Sequence, residues 1–252
     1  MDELALHGWL VAAYFGLAAL TFIVLMFIDA PYGRHHDGGW GPTVPARLGW
    51  LIMETPAVVV FGVVFALGDH AASAVPLGLL AMWQVHYVHR TFIYPFRIRP
   101  SGKRMPLLIA AIAAFYQCFN SYVVARWISH LHDYGADWVW DPRYLVGVAV
   151  FVLGFVINTH ADTVLIKLRK PGETGYKMPR GGLYERVTCP NYLGELIEWV
   201  GFAIASWSLP GLAFAVYTAA NLVPRALANR RWYRERFPDY PAHRKALIPY
   251  VL

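Results

Sequence analysis

Hydrophobic residues run through this chain in long blocks whose interiors hold almost no charge, and short polar or glycine- and proline-bearing stretches separate them. A transmembrane helix needs about 20 mostly apolar residues. Blocks of that length predict seven helices, at 8–28, 46–67, 74–96, 105–128, 145–166, 191–208 and 211–228. Only Asp2 and Glu3 precede the first block as charged residues, and it ends without a small-residue cleavage pattern, so it reads as a retained helix. The expected fold is all-α: one polytopic membrane domain over residues 1–252, with no separate soluble domain and no internal repeat.

Composition agrees, at 57% hydrophobic and 15% charged, against about 45–50% apolar in soluble domains. Intrinsic disorder and a small disulfide scaffold are excluded on the same grounds. Cys118 and Cys189 have no zinc-ligand spacing and imply no disulfide framework. The formal charge of +6 could suggest nucleic acid, but the basic residues gather beside hydrophobic spans, where membrane orientation accounts for them and nucleic acid is not expected. Of 22 Lys and Arg, 18 fall in alternate connections on one side, Arg126 and Arg143 fall on the other, and Arg90 and Arg225 lie within spans. An N-terminus outside and a cytoplasmic C-terminus follow. The long connections, 97–104, 167–190 and the tail 229–252, are then cytoplasmic, and function is expected on that face.

Ionisable groups inside a bilayer are costly and mark function by default. Each falls in the inner half of its span: Trp50 and Glu54, Tyr87 and Arg90, Asn158 and Asp162, Asn191, Glu195 and Glu198, and Asn221 and Arg225. Residues three, four, seven or eleven apart share a helix face, which groups Asn158, Asp162 and Arg169, and also Asn191, Glu195 and Glu198. Asn221, Arg225, Asn229 and Tyr233 continue in steps of four. The bland alternative is interhelical hydrogen bonding that only holds a bundle together. His86 and His89 lack a carboxylate at a matching spacing, so no catalytic metal is expected. His35, His36, His130 and His132 read as solvated residues near the membrane surfaces. Dinucleotide and phosphate-loop signatures are missing, so a nucleotide would have to be held by the basic loops and the intramembrane polar groups.

The run LRKPGETGYKMPRGGLYERVTCPNYLGELIEWVGFAIASWSLP (168–210), the tail RRWYRERFPDYPAHRKALIPYVL, HYVHRTFIYPF (86–96) and PYGRHH (31–36) together resemble the steroid 5α-reductase family. That resemblance implies an oxidoreductase that uses NADPH to reduce the Δ4 double bond of 3-oxo-Δ4 steroids such as testosterone or progesterone. It further implies that Glu54 and Tyr87 hold the steroid carbonyl and that Trp50 lines the steroid pocket. The family's cofactor residues carry over to Asn158, Asp162, Arg169, Tyr176, Asn191, Glu195, Tyr233 and Arg244, with Arg97 or Arg99 and Arg225. Departures stand at Met53, Ile98 and Asn229, where relatives carry polar residues or histidine. Loop lengths suggest a bacterial relative, hence an inner-membrane protein whose active site opens to the cytoplasm and the inner half of the bilayer; a monomer is expected. A membrane methyltransferase of the isoprenylcysteine type, which shares the tail pattern, and a non-catalytic transporter are the competing readings.

Overall fold

The computed structural model describes residues 2–28, 40–98, 102–169, 173 and 175–252. The PYGRHH run and Arg99 lie outside the described residues. In chain order the elements are α1 (Glu3–Phe27), β1 (Thr43–Pro45), α2 (Ala46–Ala66), α3 (Ala74–Val88), α4 (Tyr94–Arg97), β2 (Arg104–Pro106), α5 (Leu107–Arg126), α6 (Pro142–Lys167), α7 (Pro190–Ser206) and α8 (Leu209–Arg236). A π-helical turn, His89–Ile93, fuses α3 and α4 into one rod, and a second, Trp127–Leu131, extends α5. The two strands form a short antiparallel ribbon with Thr43 opposite Pro106.

Among the described residues there are therefore seven helical rods, in the order the apolar blocks predict. Four stretches, α1, α2, α5 with its π turn and α6, are long and apolar enough to cross a membrane. Their outward faces carry large apolar side chains, among them Phe27, Phe115 and Val152, a surface that soluble proteins do not expose at this extent.

Several boundaries differ from expectation. The last helix runs to Arg236, well past the predicted end at 228, so the start of the presumed tail is helical. Arginine and glutamate are good helix formers, and a scan for apolar length stops where apolarity stops. Conversely α6 ends at Lys167, so Arg169 does not continue the face of Asn158 and Asp162. Nor is His130 simply solvated: it is half-buried, with Nδ1 3.1 Å from Asp69, and His132 stacks on Trp127 with ring centroids 5.4 Å apart.

The tightest packing joins α6 to α7. A Cβ on Gly147, Gly154, Gly194 or Gly201 would collide with backbone atoms of the facing helix, at Ala205, Glu198, Asn158 and Phe151 respectively. Small residues let helix backbones approach in this way. An aromatic core fills the middle of the bundle, where Trp83 stacks on Phe61 at 4.2 Å and meets Trp199 and Phe214. The Trp83 indole donates to the Ala57 carbonyl at 2.8 Å, which ties α3 to α2.

Behind α8 the chain returns to the entrance of α7. Val187 and Lys245 form a parallel bridge, flanked by Thr188 N–H to Lys245 O (2.8 Å) and Cys189 N–H to Ala246 O (3.1 Å). Beneath it Arg244, 1% exposed, donates to the Pro179 carbonyl at 2.9 Å and to Glu185 at 3.1 Å. The Gly181 N–H, with Arg244 beside it, holds the Glu185 carboxyl below its ordinary value of 4.5.

Two outcomes follow from this packing. Gly194→Ala is expected to cost about 1–3 kcal/mol through forced separation of α6 and α7, seen as a lower Tm of the detergent-solubilised protein; an unchanged Tm would mean the helices are not in backbone contact. Because the folded state favours the charged form of Glu185, its contribution is present above the ordinary carboxylate value and disappears as pH falls through the depressed one. The Tm gap between wild type and Glu185→Gln should therefore narrow as pH drops below 4.5, and a gap independent of pH would contradict the ion-paired tail.

Candidate functional site

A cavity of about 490 Å³ opens between α1, α2, the α3 rod, α5, α7 and α8. Its walls bring together Trp50 and Glu54 from α2, His86 and Tyr87 from α3, Arg90 from the π turn, Glu195 from α7, and Asn221 and Arg225 from α8. The rest of the lining is largely apolar, including Leu20, Val24, Ile112 and Phe214. This combination of apolar walls with a few convergent polar groups, at a size within the roughly 300–1,000 Å³ of small-molecule sites, marks a ligand pocket.

Glu54 and Tyr87 are joined by a residue that sequence reasoning passed over. Gln117 of α5 donates Nε2–H to Glu54 Oε2 at 3.0 Å, and the same nitrogen lies 3.3 Å from the Tyr87 hydroxyl. Its orientation is set from behind: Asn120 Nδ2 donates to Gln117 Oε1 (3.1 Å), and the Tyr14 hydroxyl donates to Asn120 Oδ1 (2.8 Å). Tyr14 is in turn 2.6 Å from the Tyr116 hydroxyl. A carboxamide whose oxygen is engaged by Asn120 must present its two N–H donors to the other side, toward Glu54 and Tyr87. The Tyr87 oxygen then accepts from Nε2, while its own hydrogen reaches Gln117 Oε1, already engaged by Asn120, only at the longer 3.5 Å. One signal was available: Gln117 and Asn120 are polar residues three apart in an apolar helix, the pattern used for the other five helices.

A second cluster adjoins the pocket where α6 and α7 touch. Asn158 Nδ2 donates to the Asn191 carbonyl at 2.9 Å, and Asn191 Nδ2 donates to Asp162 Oδ1 at 3.0 Å. Arg90 lies between two acids, 3.6 Å from Asp162 Oδ2 and 3.9 Å from Glu195 Oε2. Those two oxygens are buried and have no hydrogen-bond partner among the described residues. The guanidinium also lies over Trp50 at 4.8 Å, and the Trp50 indole donates to the Arg90 carbonyl at 2.9 Å. The π turn is what aims Arg90 here, since the wider helix rotates the residues that follow Tyr87. Glu198 points away from this cluster and bonds His86 at 2.8 Å.

The remaining predicted residues are spread around the same end. Arg97 donates to Thr163 Oγ1 at 2.8 Å, and Arg225 reaches Asn221 and Tyr192, each at 3.2 Å. Tyr176 takes a hydrogen bond from Lys103 at 2.7 Å and packs on Trp232. Arg169 donates to Gly175 O at 3.4 Å at the exposed exit of α6. Tyr233 and Arg244 sit farther back: Tyr233 is buried against Tyr240, and Arg244 fastens the tail. Of the departures, Met53 lines the pocket, the Ile98 carbonyl accepts from Arg47 at 3.3 Å, and the buried Asn229 donates to Cys189 Sγ at 3.5 Å.

A family model described as 3-oxo-5-alpha-steroid 4-dehydrogenase matches residues 103–252. The chain is 45% identical over 260 residues to the 3-oxo-5-alpha-steroid 4-dehydrogenase 1 of Rattus norvegicus, covering 100% of this chain and 98% of the relative. It is 44% identical over 239 residues to the steroid 5-alpha-reductase DET2 of Arabidopsis thaliana, covering 92% and 91%. It is also 46% identical over 225 residues to the Homo sapiens 3-oxo-5-alpha-steroid 4-dehydrogenase 1, covering 88% and 86%. With identity at this level over nearly the whole length, the chain belongs to the steroid 5-alpha-reductase family.

Proposed function

We propose that this protein is an NADPH-dependent oxidoreductase that reduces the Δ4 double bond of 3-oxo-Δ4 steroids to 5α-3-oxo steroids. The observation that carries the reading is the Gln117 bridge between Glu54 and Tyr87 at the wall of an otherwise apolar pocket. Reduction of an enone moves negative charge onto its ketone oxygen, so donors preorganised at that oxygen lower the barrier as an oxyanion hole does. Tyr87, which holds Gln117 Oε1 only at 3.5 Å, turns its hydrogen to the ketone when substrate is bound. Glu54 Oε2 accepts from Gln117 while Oε1 makes no hydrogen bond among the described residues, and as an acid it supplies a second donor. Trp50 and the apolar lining hold the ring system and exclude water.

The residues also suit the cofactor. Buried Asp162 Oδ2 and Glu195 Oε2 are acceptors awaiting donors, which hydroxyl or carboxamide groups of a dinucleotide would provide, with Asn158 and Asn191 fixing both acids. Arg97, Arg169, Arg225, Tyr176, Tyr233 and Arg244 would serve its phosphates and adenosine half, together with Arg99. When bound, NADPH supplies the hydride. The protein holds it at the cytoplasmic end of seven membrane-spanning helices, with the N-terminus outside, and the pocket is complete within one chain.

The test is purified protein in lipid with NADPH and a panel of 3-oxo-Δ4 steroids, with products followed by mass spectrometry. A gain of two hydrogens is expected. Tyr87→Phe should lower kcat by about 10² or more with NADPH affinity retained, as loss of one oxyanion donor does. Gln117→Leu should lower it by about tenfold, the equivalent of one misdirected hydrogen bond; full activity of this variant would dismiss the bridge. Asn191→Ala and Glu195→Ala are expected to weaken NADPH binding measured by fluorescence titration, and unchanged affinity in both would remove the α6–α7 cluster from the cofactor site.

A further inference from the structure

The groups at the ketone oxygen leave one atom of the reaction without a source. After an enone takes up hydride at C5, the electron pair of its double bond rests on oxygen as an enolate, and C4 still needs a proton. Tyr87 and Glu54 are committed to the oxygen. A donor for C4, two bonds away, has to stand beside them.

His86 stands there. Its ring lies 4.9 Å from that of Tyr87, nearly perpendicular to it, and is wedged at 4.6 Å against Trp199. It lines the same pocket as Glu54 and Tyr87. Nδ1 is 2.8 Å from Glu198 Oε1, the two side chains being 4% and 0% exposed, while Nε2 makes no hydrogen bond among the described residues. Glu198 Oε2 is buried without a hydrogen-bond partner among them. A buried carboxylate with one unsatisfied oxygen is costly where the only role is to hold helices together, and two neutral amides would do that at less cost. A carboxylate behind an imidazole that lines a cavity, with its far nitrogen unbonded among the described residues, is instead the arrangement of a proton donor.

We infer that His86, oriented by Glu198, delivers the proton that C4 gains; this rests on the reductase reading above. The Nε2–H bond of the imidazolium breaks, a C4–H bond forms, and the enolate pair returns to the carbon–oxygen bond as the ketone. His86 is left neutral, its Nδ1–H still on Glu198, and takes a proton from solvent before the next cycle. The charged or titratable groups facing the pair are Glu195 of α7, Arg90 and His89 of the π turn, Tyr87 of α3 and Glu54 of α2. Glu198 is a positioning residue, since it does not line the pocket.

The experiment compares full-length wild type, His86→Gln and Glu198→Gln in lipid nanodiscs, with NADPH and testosterone. It measures kcat against pH, the solvent deuterium isotope effect on kcat, and NADPH affinity. Loss of a general acid predicts a fall in kcat of about 10² or more for His86→Gln. NADPH affinity should be unchanged, the solvent isotope effect larger, and the alkaline fall of the wild-type profile absent. Glu198→Gln should show a smaller fall and a displaced profile. Wild-type rate, profile and isotope effect in His86→Gln would overturn the inference while leaving the reductase reading intact. Failure of both variants to bind NADPH would make the pair structural and overturn it equally. An inactive wild type would overturn the reductase reading and, with it, this proton route.

Discussion

The backbone contact of α6 with α7 is the constraint on which the polar end of the molecule depends. Four glycines, two on each helix and seven residues apart, remove the side chains that would otherwise hold the rods apart. Only at that separation does the short Asn158 side chain reach the Asn191 carbonyl, and Asn191 reach Asp162. The two acids then flank one guanidinium, and that guanidinium in turn fastens Trp50 and with it α2. Van der Waals contact between helices, which carries no chemistry itself, thus decides where five charged or amide groups meet.

The other end of the pocket is organised by direction. From Tyr14 through Asn120 to Gln117, each group has its acceptor or donor side specified by the one behind it. In a low-dielectric interior such a chain polarises and stiffens its members. Glu54 and Tyr87 are therefore both set against an amide whose orientation is fixed from behind. Because α1, α2 and α3 each contribute one link and α5 two, a displacement of any of these rods is felt at the same two side chains.

Much of this was legible in the sequence. Apolar block length located all seven rods, and the four-residue spacing of Asn158 with Asp162 and of Asn191 with Glu195 placed them on facing sides. Reading failed where polarity and structure part company. α8 continues through a charged stretch because propensity, not apolarity, sustains it there. Arg169 falls beyond the end of α6, where the 145–166 block already stops, so its eleven-residue spacing from Asn158 carries a helix face past the helix terminus. Gln117, unlike Asn158, Asn191 and Asn221, has no charged residue at helical spacing to mark its face, though burial makes amides and acids equally dependent on partners. The His86–Glu198 pair was invisible for another reason: its members are distant in sequence, and nothing local connects them.

The return of the chain onto the entrance of α7 has a consequence for biogenesis. Residues 186–189 find their partners in Lys245 and Ala246, which leave the ribosome only after α7 and α8 have been made. Until then the segment leading into the carboxylate cluster has no clamp, although its helices can already have inserted. Formation of the helices and closure of this clamp are thus separate in time, and a chain interrupted late would keep α7 and α8 but lack the latch at the entrance of α7.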